Sequence, residues 1–401
     1  MNHEFANPFR PGAGHQPPYL AGRQSEQREF DTLLNQNPVL SNLVLTGLRG
    51  LGKTVLLDTF RPIALSRGWI WAGTDLSESA SVSEEMLCIR IISDLSAIVS
   101  SFTVYESEKR GIGFVPTTEK IPINLGFDVL TNVFKSTPGL PSDKLKAVLE
   151  LVWKSVEGKA NGIVLAYDEA QNLSDQGGLR QYPLSMLLDV FQSMQRKGIP
   201  YLLVLTGLPT LFPKLVDART YAERMFHVLM LDRLNKDECR DAILKPIKDS
   251  DCPVRFTNGA VNEIITDSGG YPYFVQFLCK EAYDSYLQQI SIGISNPVVT
   301  IKEVMRKLDS DFFAGRWNRV TDRQRDLLAV IAKLPNAEEE FTVQEIAEKS
   351  KTMEMRNFSP SQINQMLNKL AESGLIYKNR HGKYSFAVPM LSQFINRLPV
   401  G

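Results

Sequence analysis

Asn42-Leu43-Val44-Leu45-Thr46 runs directly into Gly47-Leu48-Arg49-Gly50-Leu51-Gly52-Lys53-Thr54, with Val55 and further apolar residues behind it. The first five residues read as a buried strand and the last begin a helical pattern. The glycines between them satisfy GxxxxGK[ST], the P-loop pattern. Glycines let a backbone fold around phosphate oxygens with its N–H groups turned inward, where side chains would obstruct. The helix that follows presents its positive end to the same phosphates. Lys53 has the reach for β- and γ-phosphates, and the Thr54 hydroxyl can coordinate Mg²⁺. Gly47 through Val55 is therefore the expected binding segment for ATP with Mg²⁺. A chance glycine-rich turn is the competing reading, and the strand before it and helix after it disfavour that.

Outward from this segment, short apolar runs alternate with helical patterns. Phe30, Leu33 and Leu34 recur at helical spacing before it, and Trp69–Gly73 reads as a second strand after it. Helix 83–100 has Ser83 as its cap, and a helix over 144–159 precedes the continuous apolar run Gly162–Tyr167. Helix 183–196 and strand 200–205 follow, and 227–231 reads as the last strand. This order predicts an α/β fold, a three-layer core whose parallel sheet is covered by helices on both faces. Residues 101–141 break the alternation with prolines, glycines and a weak period of two (Ile121, Ile123, Leu125, Phe127), which predicts an inserted hairpin. The run Gly162–Tyr167 ends in Asp168-Glu169. An apolar strand tipped by two carboxylates is the Walker B arrangement: Asp168 can hold the Mg²⁺ shell while Glu169 polarises the attacking water. By itself an acidic pair after a strand is commonly a solvated turn. More than a hundred residues after a P-loop it gains weight.

With both motifs in place, the chain resembles the AAA+ and STAND P-loop ATPases, particularly their initiator-like and archaeal-type branch, over roughly residues 18–290. Ala21-Gly22-Arg23-Gln24-Ser25-Glu26 is similar to the family's GRxxE box, which implies that Gly22 and Arg23 lie near the adenine. Tyr201–Pro209 resembles the sensor-1 strand and implies a place for Thr206 beside the γ-phosphate and water. Arg219 or Arg224 stands where the family often carries an arginine finger, a fixed cation brought to a neighbouring subunit's phosphate. Gly269-Gly270-Tyr271-Pro272 matches the GxP motif of STAND lids and implies that Gly270 and Pro272 approach the nucleotide. The plain alternatives are a capped turn, a satisfied strand end, surface salt bridges and a turn with Pro opening a helix. No arginine opens helix 273–287, where many such lids place a sensor-2 residue. That departure favours a switch with slow or assembly-dependent ATP hydrolysis over a processive motor.

The sequence after 232 turns helical (235–248, 258–268, 273–287, 300–313), and about 321–401 reads as three helices and two short strands. That last order resembles a winged helix-turn-helix. The resemblance implies duplex DNA contacts from Gln362, Gln365, Asn368 and Lys369 on the third helix, and from Lys378, Arg380 and Lys383 on a wing tipped by His381-Gly382. Such modules also bind protein, so a protein partner is the alternative. The expected organisation is an extended arm (1–19), a P-loop ATPase core (20–232, with 101–141 inserted), a helical lid and linker (233–316) and a winged-helix domain (317–401).

Composition bounds these readings. The 401 residues carry 45 Lys plus Arg against 45 Asp plus Glu, which excludes a chain basic throughout. Residues 359–401 nevertheless hold five basic residues (Lys369, Lys378, Arg380, Lys383, Arg397) and one acidic residue, Glu372, so the tail is positively biased. A contact that modest implies a nucleotide-dependent homo-oligomer if duplex DNA is to bind tightly. Four cysteines (Cys88, Cys239, Cys252, Cys279) and four histidines (His3, His15, His227, His381) are too scattered for a disulfide framework or a structural zinc site. No apolar run approaches the ~20 residues of a membrane span. A cytoplasmic protein without membrane attachment is expected.

Overall fold

The computed structural model describes residues 6–12, 14–100, 103–110, 117–249, 254–295, 297–353, 357–380 and 382–398, with backbone alone at 103–110, 117–123 and 380. His3, Cys252, His381 and the Arg380 side chain, all named from the sequence, lie outside the described residues. Two compact units result: Gln24–Thr46 with Leu56–Met230, and Met1–Arg23 with Gly47–Val55 and Leu231–Gly401.

The first unit contains, in chain order, α1 (Gln24–Leu34), β1 (Asn42–Thr46), all but the first turn of α2 (Lys53–Ser66), β2 (Trp69–Ala72), α3 (Glu84–Val99), β3 (Thr103–Arg110), β4 (Thr117–Asn124), α4 (Phe127–Ser136), α5 (Pro141–Val156), β5 (Gly162–Tyr167), α6 (Pro183–Arg196), β6 (Tyr201–Gly207), α7 (Leu211–Ala218), α8 (Ala222–Met225) and β7 (Phe226–Met230). Five strands form one parallel sheet in the order β2-β5-β6-β1-β7. Burial follows that order. Every residue of β5, β6 and β1 is buried, as expected of strands covered on both faces, while the edge strands β2 and β7 are only partly covered. Asn42, fully buried at the start of β1, accepts from Leu203 N–H and donates to the Met225 carbonyl, so its polar side chain stitches neighbouring segments together. Ser83 accepts from Met86 N–H and opens α3.

Residues 101–141 are only in part a departure from this core. β3 and β4 pair as an antiparallel hairpin (Thr103↔Asn124 to Arg110↔Thr117). Leu125, Leu130 and Phe134, however, are buried in the same core cluster as α3 and α5. The expected insertion thus contracts to the hairpin, because α4 supplies apolar surface that the core uses.

The second unit holds α9 (Lys236–Asp249), α10 (Asn258–Ser268), α11 (Pro272–Ser291), α12 (Ile301–Leu308), a π-helical turn (Asp309–Ala314), α13 (Gly315–Trp317), α14 (Asp322–Ala332), β8 (Phe341–Thr342), α15 (Val343–Thr352), α16 (Pro360–Glu372), β9 (Ile376–Arg380), β10 (Lys383–Phe386) and α17 (Leu391–Arg397). The helix expected at 300–313 therefore ends at Leu308 and loosens into π geometry. The two expected C-terminal strands gain a third, giving an antiparallel sheet β8-β10-β9, and a final helix follows. Thr321 with Gln324, Thr342 with Glu345 and Ser359 with Gln362 form capping boxes on α14, α15 and α16, each satisfying two helix-end donors reciprocally. The N-terminal arm packs in this unit as well: Phe9 is buried, stacked on Phe256 with ring centres 6.4 Å apart, and Asn7 donates to the Lys280 carbonyl at 3.0 Å. Among the described residues no helix is long and apolar enough to cross a membrane.

Candidate functional site

The phosphate loop is built by close approach and positive φ. Gly50 (φ +79°) and Gly52 (φ +86°) occupy backbone conformations that side chains strain, and a Cβ at Gly47 would stand 3.0 Å from the Leu231 carbonyl. Lys53 Nζ donates to the Gly47 and Leu48 carbonyls at 2.9 Å each, so the ammonium lies over the loop where phosphate oxygens would sit. Arg23 is 5% exposed and donates to the Leu51 carbonyl at 3.2 Å and the Asp232 carbonyl at 2.8 Å. It braces the loop, and this is the place the structure gives it. Gly22 (φ +64°) lets the chain turn into that contact.

The Gly269–Pro272 turn meets the loop within the same unit. Pro272 starts α11, and Tyr273 N–H donates to the Gly50 carbonyl at 3.2 Å. Gly270 (φ +75°) accepts from Leu234 N–H at 2.8 Å, and a Cβ there would lie 2.5 Å from the Leu234 carbonyl oxygen, a backbone atom with little room to yield. Gly270→Ala is therefore expected to destabilise by ~1–3 kcal/mol. Chemical denaturation checks this; a change under ~0.5 kcal/mol would contradict the backbone argument.

In the other unit, parallel strands put the carboxyl ends of β1, β6 and β5 on one edge of the sheet, Leu45 beside Thr206 and Tyr167 beside Leu205. Thr46 continues by the chain itself into Gly47. Thr46 Oγ1 and Thr206 Oγ1 are both buried and make no hydrogen bond among the described residues. An orphaned buried hydroxyl costs roughly 1–3 kcal/mol, so two on adjacent strand ends point to a ligand, water or ion as their partner. Asp168 is 4% exposed and fixed through its backbone: its N–H donates to the Thr74 carbonyl at 3.2 Å, and its carbonyl accepts from Leu76 N–H at 2.9 Å. Asp168 Oδ1 accepts from Glu169 N–H at 2.8 Å. Glu169 is exposed and has φ +52°, strained for a residue with a side chain. Gln171 Nε2 donates to the Glu169 carboxylate, and Gln171 Oε1 accepts from Leu208 N–H at 3.2 Å. Lys214 Nζ, its pKa pushed down by burial against an opposing pull from Asp175, holds the Gln171 carbonyl at 2.7 Å. Gln171 thus ties Glu169 to the chain after β6, a contact that motif reading missed; its spacing of two from Glu169 is its sole sequence signal.

The loop residues by themselves fit a magnesium nucleotide. The loop has glycines and a lysine of the kind that suits phosphates, and Thr54 in the first turn of α2 carries a hydroxyl of the kind that coordinates Mg²⁺. No group of three or more His, Cys, Asp or Glu that could hold a metal by itself occurs among the described residues.

The two arginine-finger candidates part company. Arg219 is committed within the chain, to Asp189 at 2.7 and 2.9 Å and to Ser185 Oγ at 2.8 Å, with Tyr221 donating to the same carboxylate. Arg224 is exposed just before β7, lines a surface hollow with Arg196 and Tyr221, and has no ion pair among the described residues. Burial pushes the Asp189 carboxyl up, but hydrogen bonds from Arg219 and Tyr221 outweigh it and hold it below the usual aspartate range. Its contribution is then complete above the unfolded value of about 4 and is lost as pH falls through the lowered folded value. Both partners are more than a third exposed, so Arg219→Ala should cost at most ~1 kcal/mol at pH 7. Urea unfolding of variant and wild type should converge in acid; a gap that persists there contradicts the assignment.

Of the expected DNA-contacting residues, Gln365, Asn368 and Lys369 are exposed on α16, and Lys378 is exposed on β9. Gln362 is exposed as well, and its Oε1 accepts from Ser359 N–H at 3.1 Å as part of the capping box. Lys383 is half-buried and acts electrostatically on Glu345, whose carboxyl burial raises but hydrogen bonds from Thr342 bring below its ordinary value.

A family described as "Domain of unknown function (DUF8462)" matches residues 310–395. No curated protein matches the chain. Among solved structures, a Walker-type ATPase of Pyrococcus abyssi is similar at TM-score 0.56 and 16% identity, over 94% of this chain and 96% of that one. The ORC2 protein of Aeropyrum pernix in its ADP form is similar at TM-score 0.55 and 14% identity, over 96% and 95%. At such identities the likeness is one of fold: an α/β, P-loop NTPase-like architecture.

Proposed function

We propose that the chain is an ATP-binding and ATP-hydrolysing switch of the AAA+/STAND type, whose nucleotide state controls self-assembly and association with duplex DNA. The observation that carries this reading is the phosphate loop, with Lys53 folded over carbonyls that glycine conformations hold in place. The likeness in fold to a Walker-type ATPase, and to a protein solved in ADP and ADPNP-ADP forms, supports it. Gly47–Val55 would cradle the phosphates, with Gly22, Arg23, Gly270 and Pro272 shaping the surroundings. Thr54 and Asp168 would hold Mg²⁺, which when bound neutralises phosphate charge and orients the β- and γ-oxygens. Glu169, held by Gln171, would take a proton from the attacking water. Thr206, with its unpartnered hydroxyl, would orient that water or a phosphate oxygen. Arg224 is the remaining finger candidate, and its exposure suits a role toward a second copy.

The C-terminal residues support a winged-helix reading: three capped helices, a three-stranded antiparallel sheet, and an exposed polar face on α16. Duplex DNA is the proposed partner because that face and the tail's positive bias are complementary to phosphate. Light scattering after size exclusion tests the coupling, comparing ADP with an unhydrolysable ATP analogue, with and without duplex DNA. A larger species is expected with the analogue, and larger again with DNA. Identical masses in all four conditions would overturn the switch. Anisotropy with labelled duplex should show salt-dependent binding that falls when Arg380 and Lys383 are neutralised. Equally poor binding by wild type and variant, with a protein partner copurifying, would instead favour the signalling alternative, in which the module binds protein.

A further inference from the structure

The first turn of α11 contains no basic residue; its first cation is Lys280. A different segment of the same unit brings one toward the phosphate loop. The Gly50 carbonyl accepts from Tyr273 N–H at 3.2 Å. The Tyr273 ring packs on Phe312 of the π-helical turn with centres 5.5 Å apart. The Arg316 guanidinium lies 4.2 Å from the centre of that Phe312 ring. On the loop itself, Arg49 is exposed next to Gly50, its Nη1 3.7 Å from where a Cβ on Gly374 would stand. The charges acting on half-buried Arg316 are Arg49 and Arg319, both cationic, and the one opposing influence is the phenol of Tyr273. Burial first, and then Arg49, lowers the Arg316 pKa. No ion pair to Arg49, Arg316 or Arg319 occurs among the described residues. Cations gathered without a carboxylate repel one another, and half-buried Arg316 also loses hydration; a multiply charged phosphate with several acceptor oxygens relieves both costs.

We propose that Arg316 and Arg49 form a cationic clamp, within one chain, for the terminal phosphate of a bound nucleoside triphosphate. This rests on the reading of Gly47–Val55 as the phosphate loop. The clamp also connects to the C-terminal residues. Phe313, beside Phe312, is stacked on Phe394 of α17 with centres 5.0 Å apart, and Asp309 in the same turn accepts from Arg397 Nε at 3.0 Å. A phosphate drawing on Arg316 would therefore pull on the turn that seats α17.

Calorimetric titration of ADP and of an unhydrolysable ATP analogue into the full chain tests this, comparing wild type, Arg316→Gln, Arg49→Gln and Arg316→Lys. Arg316→Gln and Arg49→Gln should each weaken the triphosphate roughly 10- to 100-fold, as expected for loss of a charge-assisted contact. For Arg316→Gln, which lies outside the loop, ADP affinity should stay within about twofold, which also shows that this variant folds. Arg316→Lys, keeping charge but not the planar fork, should recover part of the loss. An unchanged ratio of triphosphate to ADP affinity, or an equal loss of both, would overturn the clamp. Nucleic-acid phosphate is the other source of the same chemistry, so duplex binding is measured in parallel and should be unaffected by Arg316→Gln. Lost duplex binding with an unaltered nucleotide ratio would also overturn it. Failure of the wild type to bind either nucleotide would remove the phosphate-loop reading and the clamp together.

Discussion

Lys53→Ala is expected to abolish measurable ATP binding while leaving the fold intact. In the structure the ammonium is held at 2.9 Å by two carbonyls of its own loop. Phosphate oxygens would replace those contacts with charge-assisted ones worth ~1.5–3 kcal/mol each. Losing two such contacts weakens binding on the order of 10²- to 10⁴-fold, since every 1.4 kcal/mol is tenfold. Truncation costs little stability, because Lys53 is half-exposed and neither carbonyl needs it as a sole partner when water is available. Calorimetry reads the affinity and circular dichroism the fold. Unchanged affinity would mean that this loop is a glycine turn without a phosphate role.

Glu169→Gln is expected to separate binding from hydrolysis. The side chain is exposed, its backbone is strained into the left-handed region, and Gln171 holds its carboxylate. Such strain persists where the surroundings over-determine it, which is common at reacting centres. Glutamine keeps the size and the hydrogen-bonding reach but cannot take a proton. Hydrolysis should therefore fall ~10²- to 10⁴-fold, with ATP affinity within a few-fold of wild type. Gln171→Ala should give a milder loss of turnover, with no loss of affinity, because it acts through Glu169. If Glu169→Gln lost ATP binding and turnover together, the residue would be structural.

The parts of the fold legible in the sequence are those where one physical demand acts alone. β5 and β6 read as continuous apolar runs because helices cover both faces of their sheet, and the P-loop because its glycines serve backbone conformations that few other residues accept. Helix α4 was obscured by its place after the hairpin: its buried Leu130 and Phe134 sit among prolines and glycines that read as an excursion. The two-residue strand β8 is too short to show a period, and α17 follows a Pro-containing turn that hides its start. Arg219 and Arg224 look equivalent in sequence. What separates them is Asp189, thirty residues before Arg219 and brought to it by the packing of α6 and α7. Arg316 is similarly silent, since its approach to the phosphate loop depends on a π-helical turn and on two aromatic rings from separate helices.

The proposed function stands or falls on ATP hydrolysis at the loop Gly47–Thr54 with Glu169 as base. Single-turnover phosphate release, measured side by side for wild type, Lys53→Ala and Glu169→Gln at matched protein and Mg²⁺ATP, tests it most directly. Release by the wild type, with both variants at background and only Glu169→Gln retaining bound ATP, is the result predicted. Equal release from all three proteins would contradict it.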